Sequence, residues 1–190
     1  RGKGFSQKGF WDALPFRPTR AQERALAQIC QDLGSGRAMR RLVQGDVGSG
    51  KTAVAFGAAC LAIASSCQCA LMAPTELLAR QHLASAGRLL APFGISAGLL
   101  VGGMGAAQRR ETLEGIRDGS IQLVIGTQAL ISQGVSYHKL GLVITDEQHR
   151  FGVRQRLALT SKGDAVDVLV LSATPIPRTL VLTAFGDMDV

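Results

Sequence analysis

No stretch of the 190-residue chain is long and apolar enough to cross a bilayer, and no signal peptide is visible. The most apolar helix candidate, residues 53–63, is too short and too rich in alanine to span. Cysteine is sparse, with four residues, and its spacing argues against a zinc site: Cys67 and Cys69 are separated by a single residue. Cys30 and Cys60 fall on apolar helical faces and read as small core residues. The expectation is a cytoplasmic protein with reduced, structural thiols and no metal held by cysteine. There is no internal repeat and no low-complexity tract. Acidic residues are outnumbered, 14 Asp and Glu against 21 Lys and Arg, for a net charge of +7. An anionic partner fits that balance, although charge alone does not identify one. What remains is ordinary for a globular domain: 46% hydrophobic and 18% charged residues, in a chain long enough for one real core.

Against that background one stretch is specific. Gly45-Asp46-Val47-Gly48-Ser49-Gly50-Lys51-Thr52 has a Gly, four variable residues, then Gly-Lys-Thr. A strand candidate, residues 41–44, precedes it, and the Ala-rich helix candidate follows. Glycines let backbone N–H groups turn inward around phosphate oxygens, and the helix start aims its free N–H groups at the same anion. Lys51 supplies a mobile positive charge for the β- and γ-phosphates, and Thr52 a hydroxyl for Mg²⁺. Nucleotide binding follows from this context.

The rest of the chain alternates. Residues 1–18 read as a lead-in with little regular structure before Phe10-Trp11, and the prolines of Leu14-Pro15-Phe16-Arg17-Pro18 force an extended path. Thr19 opens a helix, with Gln22 at capping-box spacing and Gly34 and Gly36 at its end. Strands are predicted over 41–44, 69–73, 96–101, 121–125, 140–145 and 166–171, with helices over 53–63, 74–90 and 106–117. The strands are near-continuous apolar runs, as in a sheet covered on both faces. The predicted fold is α/β, a parallel sheet wrapped by helices and joined by right-handed crossovers. Ligands in such folds sit at the carboxyl ends of the strands. Gly45 to Thr52, Pro74-Thr75, Gly102-Gly103, Gly126-Thr127, Asp146-Glu147 and Ser172-Ala173-Thr174 all fall there.

Residues 142–145 end in Asp146-Glu147. An acid at that position suits Mg²⁺, held through water by Asp146, and Glu147 can take the proton of an attacking water. Hydrolysis is therefore implied, rather than transfer of a phosphate to a substrate. Asp146-Glu147-Gln148-His149 resembles the DExH box of superfamily 2 helicases. Together with Gly45–Thr52, the run from Asp146 to Gly152 and Ala173-Thr174-Pro175-Ile176-Pro177-Arg178-Thr179, it resembles the RecG family of branch-migrating DNA helicases, in its first RecA-like lobe. The resemblance covers nearly the whole chain after Phe16, with residues 19–190 as the RecA-like ATP-binding lobe. The transcription-repair coupling translocases resemble it at many of the same positions, but usually carry an aromatic at Ser49 and Glu at Gln148.

The resemblance implies roles residue by residue. Lys51 and Glu147 carry the catalysis. Phe16, Gln22 and the loop Gly45, Asp46, Val47, Gly48, Ser49, Gly50, Lys51 and Thr52 hold ATP, and Thr52 with Asp146 holds Mg²⁺. Gln22 matches the adenine-reading Gln of the superfamily, while the capping-box reading competes for the same side chain. In Ala73-Pro74-Thr75-Glu76-Leu77-Leu78-Ala79-Arg80-Gln81-His82, Thr75 and Gln81 would grip the backbone of one DNA strand. Gly103 and Thr127 would add further backbone contacts. Thr75 also reads as a plain N-cap. Gln128 stands where the family usually has His, which leaves no specific role for that side chain. His149, Ser172, Thr174 and Arg178 would couple hydrolysis to strand movement, although Ser172 and Thr174 also suit a local turn. Arg109, Arg110, Arg150, Arg154 and Arg156 are candidate phosphate contacts that read equally as solvated charges. His82 and His138 read as surface residues.

The family further implies a second RecA-like lobe bearing arginine fingers, and an upstream wedge domain that splits duplex or branched DNA. Neither occurs in these residues, and the chain reads as a piece of a longer protein. By itself the lobe is expected to bind ATP and Mg²⁺ weakly and to turn over little, since losing an arginine finger costs on the order of 10³–10⁵ in rate. A nucleotide-dependent binding module without turnover of its own is the alternative reading.

Overall fold

The computed structural model describes residues 5–34, 40–44, 50–146 and 166–172. Short apolar strands alternate with helices over the first four strands, where each connection includes an α-helix, as parallel neighbours require a crossover. The strands are β1 (Arg40–Gln44), β2 (Gln68–Met72), β3 (Ala97–Leu100), β4 (Leu123–Gly126), β5 (Leu140–Asp146) and β6 (Asp167–Ser172). They form one six-stranded sheet in the order β1-β6-β5-β2-β4-β3. Every pairing is parallel. The helices are α1 (Gln7–Asp12), α2 (Arg20–Leu33), α3 (Lys51–Ala64), α4 (Glu76–Leu89) and α5 (Ala106–Asp118), with short 3₁₀ turns at Ala91–Phe93 and Gln128–Ile131. Among the described residues no helix is long and apolar enough to cross a membrane.

Successive strand residues point to opposite faces, and both faces are covered. Cys69, Leu71, Leu123, Ile125, Leu142, Ile144, Leu169 and Leu171 pack with residues of α1 to α4. Ala70, Met72, Val124, Val143, Val168 and Val170 face the other way, toward Ile116 of α5 and Leu130. Helix α3 is apolar all round, and most of it is buried. It lies close against α2 because Gly57 has no side chain: a methyl there would come within 3.0 Å of Leu26 and Phe10. Each large aliphatic side chain buried in these layers contributes about 1.5–3 kcal/mol.

The expectation of little regular structure before Phe10 is corrected. Helix α1 starts at Gln7, capped by Ser6, whose Oγ accepts a hydrogen bond from the Gly9 N–H at 3.2 Å. Six residues are too few to hold a helix by propensity. Phe10 and Trp11 hold it instead, both buried and in edge contact at 5.1 Å, with Phe93 5.6 Å from Phe10.

At the amino ends of the strands Gln68 ties three elements together. Its Nε2 donates to the carbonyls of Ile116 and Ile121, both at 2.9 Å, and its Oε1 accepts from the Lys139 N–H at 2.9 Å. The side chain is buried, and its bond to the Ile116 carbonyl is fully shielded from water while the other two are partly so. Replacing it by Leu strands the Ile121 carbonyl and the Lys139 N–H, while the Ile116 carbonyl keeps its bond from the His138 N–H at 3.2 Å. Each group left unpaired costs about 1–3 kcal/mol where it is shielded from water. Gln68→Leu is expected to lower the urea midpoint with no change in the m-value. An unchanged midpoint would remove the clamp from the account.

Burial pushes the Cys30 thiol up to about 11 and the Cys60 thiol up to about 12. It raises Cys69 further, with the neighbouring Cys60 adding to the effect. Tyr137 is raised in the same way, chiefly by burial, while its hydroxyl donates to the Leu130 carbonyl at 2.8 Å. The folded chain thus holds these protons more tightly than the unfolded chain does. The stabilisation is whole below the ordinary thiol value of 9.0 and is lost as pH climbs through the folded values of Cys30 and Cys60. Urea midpoints are expected to fall steadily above about pH 9, and to fall less steeply in Cys60→Ala.

Candidate nucleotide and strand-binding site

Because the sheet is parallel, every strand ends on one rim. From the β1 side, that rim carries in turn the end of β1 at Gln44, Ser172, Asp146, the Ala73–Thr75 turn after β2, Thr127 after β4 and Gly102-Gly103 after β3. The order separates two groups. Candidate nucleotide and metal residues follow β1 and end β5, with the coupling candidate Ser172 at the end of β6 between them, and three of the four candidate strand contacts lie at the ends of β2, β4 and β3.

On the nucleotide side α3 starts at Gly50, which caps the helix in the left-handed conformation, φ +80°, and offers no side chain to its first N–H groups. Lys51 and Thr52 are the first residues of that helix. Gln22 reaches across to the same point. Its Oε1 accepts from the Thr19 N–H at 2.8 Å, the Thr19 Oγ1 accepts from the Gln22 N–H at 3.1 Å, and Gln22 Nε2 donates to the Gly50 carbonyl at 3.1 Å. The capping box therefore forms, and its amide also links the start of α2 to the start of α3. An open cleft of about 310 Å³ lies beside it, lined by Phe16, Gly50, Thr52, Gln81 and His82 among others. Phe16 is 42% exposed, unusual for so large an apolar side chain. An adjoining hollow of about 430 Å³ shares Phe16 and is bounded by Trp11, Leu14 and Arg17.

Asp146 ends β5, with its carboxylate mostly shielded, and Oδ2 lies 2.7 Å from His82 Nε2. The reading of His82 as a surface residue is corrected: it is buried, 8% exposed, on the inner face of α4 with Ala79 and Ala86. Its spacing from those two alanines was the available signal. Thr145 turns to the opposite face. Its Oγ1 is buried with no hydrogen-bond partner among the described residues.

On the strand side Thr75 caps α4, its Oγ1 accepting from the Leu78 N–H at 3.2 Å, and stays exposed. The Glu76 carboxylate lies against Gly103, where a side chain would collide with it, and pairs with Arg80 at 3.3 Å. Arg109 donates to the Val101 carbonyl at 3.4 Å, which sets a cation beside Gly102-Gly103. Thr127 opens the 3₁₀ turn Gln128–Ile131, and Gln128 is exposed. Gln81 is the exception, since it lines the cleft with Thr52 and not the edge with Thr75. His138 is exposed, as its sequence context suggested, and packs over Gly119. The loop residues Gly45, Asp46, Val47, Gly48 and Ser49 lie outside the described residues, as do Glu147, His149, Arg150, Arg154, Arg156, Thr174, Arg178 and the side chain of Ser172.

The residues present fit ATP and Mg²⁺. The uncapped helix start at Gly50, Thr52 and the exposed Phe16 border one cleft, Lys51 precedes Thr52 in the same first turn, and the Asp146 carboxylate bonds to His82, which lines that cleft too. Gly50 is the tightest constraint. A Cβ there would run into Gln22 Nε2, and the left-handed backbone costs a non-glycine residue about 1–2 kcal/mol. Gly50→Ala is expected to lower both the urea midpoint and adenine-nucleotide affinity. Adding Gln22→Ala should relieve the collision and leave only the backbone strain, which a double-mutant cycle would read as coupling. Strict additivity would break the proposed contact.

Residues 19–182 match the DEAD/DEAH box helicase family. Similar proteins include the ATP-dependent DNA helicase RecG of Streptococcus pneumoniae, 55% identical over 94% of this chain and 26% of that protein. RecG of Escherichia coli K12 is 51% identical over 93% of this chain and 26% of its own length. A structure of RecG bound to a three-way DNA junction superimposes with a TM-score of 0.84 at 42% identity, covering 99% of this chain and 25% of that one. Dbp5 of S. cerevisiae bound to RNA and ADP BeF3 shares the fold, with a TM-score of 0.71 at 19% identity. The chain thus spans about a quarter of the RecG proteins it matches. By the match across most of its length and by this likeness, the chain belongs to the DEAD/DEAH box helicases and is similar to one RecA-like lobe of RecG.

Proposed function

We propose that this lobe is the ATP-binding half of a RecG-type motor, and that the intact protein spends ATP to move on duplex or branched DNA and to remodel forks and recombination junctions. The observation that carries this reading is the strand order, which gathers the candidate nucleotide residues toward one end of the rim and most of the candidate strand contacts toward the other. In this reading the Lys51 ammonium neutralises the β- and γ-phosphates, and the Thr52 hydroxyl and Asp146 carboxylate hold Mg²⁺. Phe16 offers a ring face to adenine, and the Gln22 amide reads its edge. Mg²⁺, when bound, spreads the charge that builds on the phosphate oxygens. Glu147 accepts the proton of the attacking water. Thr75, Gly103 and Thr127 hold the backbone of one DNA strand, with Arg109 as a nearby cation. Gln81 is placed to touch either ligand. His149, Ser172, Thr174 and Arg178 relay the state of Glu147 to the strand.

A second RecA-like lobe of the same protein closes the cleft with its arginines, and a wedge domain meets the junction. The protein works in the cytoplasm. Gln148 and Ser49 set it apart from the transcription-repair coupling translocases.

The test is ATP turnover by the intact protein on forked DNA. Glu147→Gln is expected to cut turnover by about 10²–10⁴-fold while ATP binding persists. Lys51→Ala should lose both binding and turnover, and the isolated lobe should turn over little with or without DNA. Undiminished hydrolysis by Glu147→Gln would place the base elsewhere, and robust DNA-stimulated turnover by the isolated lobe would end the two-lobe reading.

A further inference from the structure

Along α4 the inward positions are Ala79, His82 and Ala86, a stripe at helical spacing. An apolar side chain would complete that stripe without cost. A buried imidazole needs a partner, and His82 has one 64 residues away: Asp146 Oδ2 at 2.7 Å. An ionised carboxylate only accepts hydrogen bonds, so His82 Nε2 carries the hydrogen and donates it. The two side chains are 10% and 16% exposed, and His82 also lines the cleft that holds Thr52 and Gly50. One carboxylate oxygen of Asp146 is thereby held from α4; Mg²⁺, when bound, would be met by a carboxylate whose orientation is already set.

The helix that supplies His82 begins at the strand side. Thr75 caps α4, and His82 lies seven positions further on, about 10 Å along the axis at 1.5 Å per residue. β2, which leads into α4, is hydrogen-bonded to β5, which ends at Asp146. A rigid helix therefore spans from one group of rim residues to the other, with a hydroxyl at its start and an imidazole on the metal acid two turns later.

We propose that His82 is the positioning residue for Asp146, and that through α4 it links DNA-strand contact at Thr75 to Mg²⁺–nucleotide binding. The inference rests on the ATP–Mg²⁺ reading given above. Partners that orient a metal-binding carboxylate typically change metal affinity by about 10–100-fold when removed. Linkage makes the coupling reciprocal, so strand binding strengthens Mg²⁺–nucleotide binding as much as the nucleotide strengthens strand binding.

The experiment compares the intact wild-type protein with His82→Leu, which fills the space without a donor, and His82→Gln, which restores an N–H at similar reach. Affinity for a fluorescent ADP is measured with and without Mg²⁺, and with and without forked DNA, alongside melting temperature. The wild type and His82→Gln are expected to gain affinity on adding Mg²⁺, and more on adding DNA. His82→Leu is expected to lose about 10–100-fold of the Mg²⁺ enhancement and the DNA effect, with a smaller change in its Mg²⁺-free affinity. Full Mg²⁺ enhancement in His82→Leu overturns the inference. So does an equal loss with and without Mg²⁺, which marks a purely structural residue, or a His82→Gln that behaves like His82→Leu. A DNA effect intact in His82→Leu overturns the link through α4. A wild type with no Mg²⁺ enhancement overturns the ATP–Mg²⁺ reading itself, and this inference with it.

Discussion

In a parallel sheet every strand finishes on the same rim, and the helix that follows each strand starts there. The helix starts bring N–H groups and capping hydroxyls to that rim, so it is polar wherever loops leave it open. The apolar layers on both faces fix the strands in register, and the register fixes which loop stands beside which. Asp146 pairs with Leu171 of β6 on one side, and on the other β5 pairs with β2 up to Thr145 and Met72. The acid is thus held between Ser172 and the turn that leads into α4. No side-chain contact has to be specified for the candidate residues to gather, because strand order does that work.

Much of this could be read from residue order. The breakpoints between apolar runs locate all six strands, and the Gly-rich loop between a strand and an Ala-rich helix marks the nucleotide side. Thr19 and Gln22 announced their cap through spacing alone, since both partners lie within one turn. The features that were not legible rely on distant partners. Helix α1 has no periodicity to show in six residues and exists because Phe10 meets Leu26, Gly57 and Phe93. Gln68 looks like any polar residue at the start of a strand, yet its partners are 48, 53 and 71 positions away. His82 was misread because a titratable residue on a helix is usually solvated. Its place on the stripe with Ala79 and Ala86 was the contrary sign, and only the fold reveals Asp146 beneath it.

The two rims of the sheet treat buried polar groups differently. At the amino ends, Gln68 spends its amide on backbone partners alone, joining β2 to the end of α5, the lead into β4 and the lead into β5. One of those partners lies in the last turn of α5 and the other two lie one or two residues ahead of β4 and β5, so that rim is a fastening. At the carboxyl ends the long-range polar contacts run to groups that carry candidate chemistry. Gln22 holds the carbonyl just ahead of Lys51, and His82 holds the carboxylate of Asp146.

That difference bears on how a motor lobe can respond to a ligand without unfolding. Interiors packed to the density of the two apolar layers move as blocks, because partial displacement opens voids. Motion is therefore confined to elements tied to the rest by few polar contacts at the open rim. The first two turns of α4 reach that rim: Thr75 and Gln81 are exposed, Glu76 and Arg80 pair at the surface, and the inward residues are Ala79, packed in the apolar layer, and His82, the polar contact. A shift of that end would carry the buried Ala79 and His82 together. It changes the support of Asp146, since the 2.7 Å bond tolerates little lengthening before it is lost. The clamped amino rim gives the sheet a fixed base, and the proposed coupling between two ligands would act at the carboxyl rim, through the bond from His82 to Asp146.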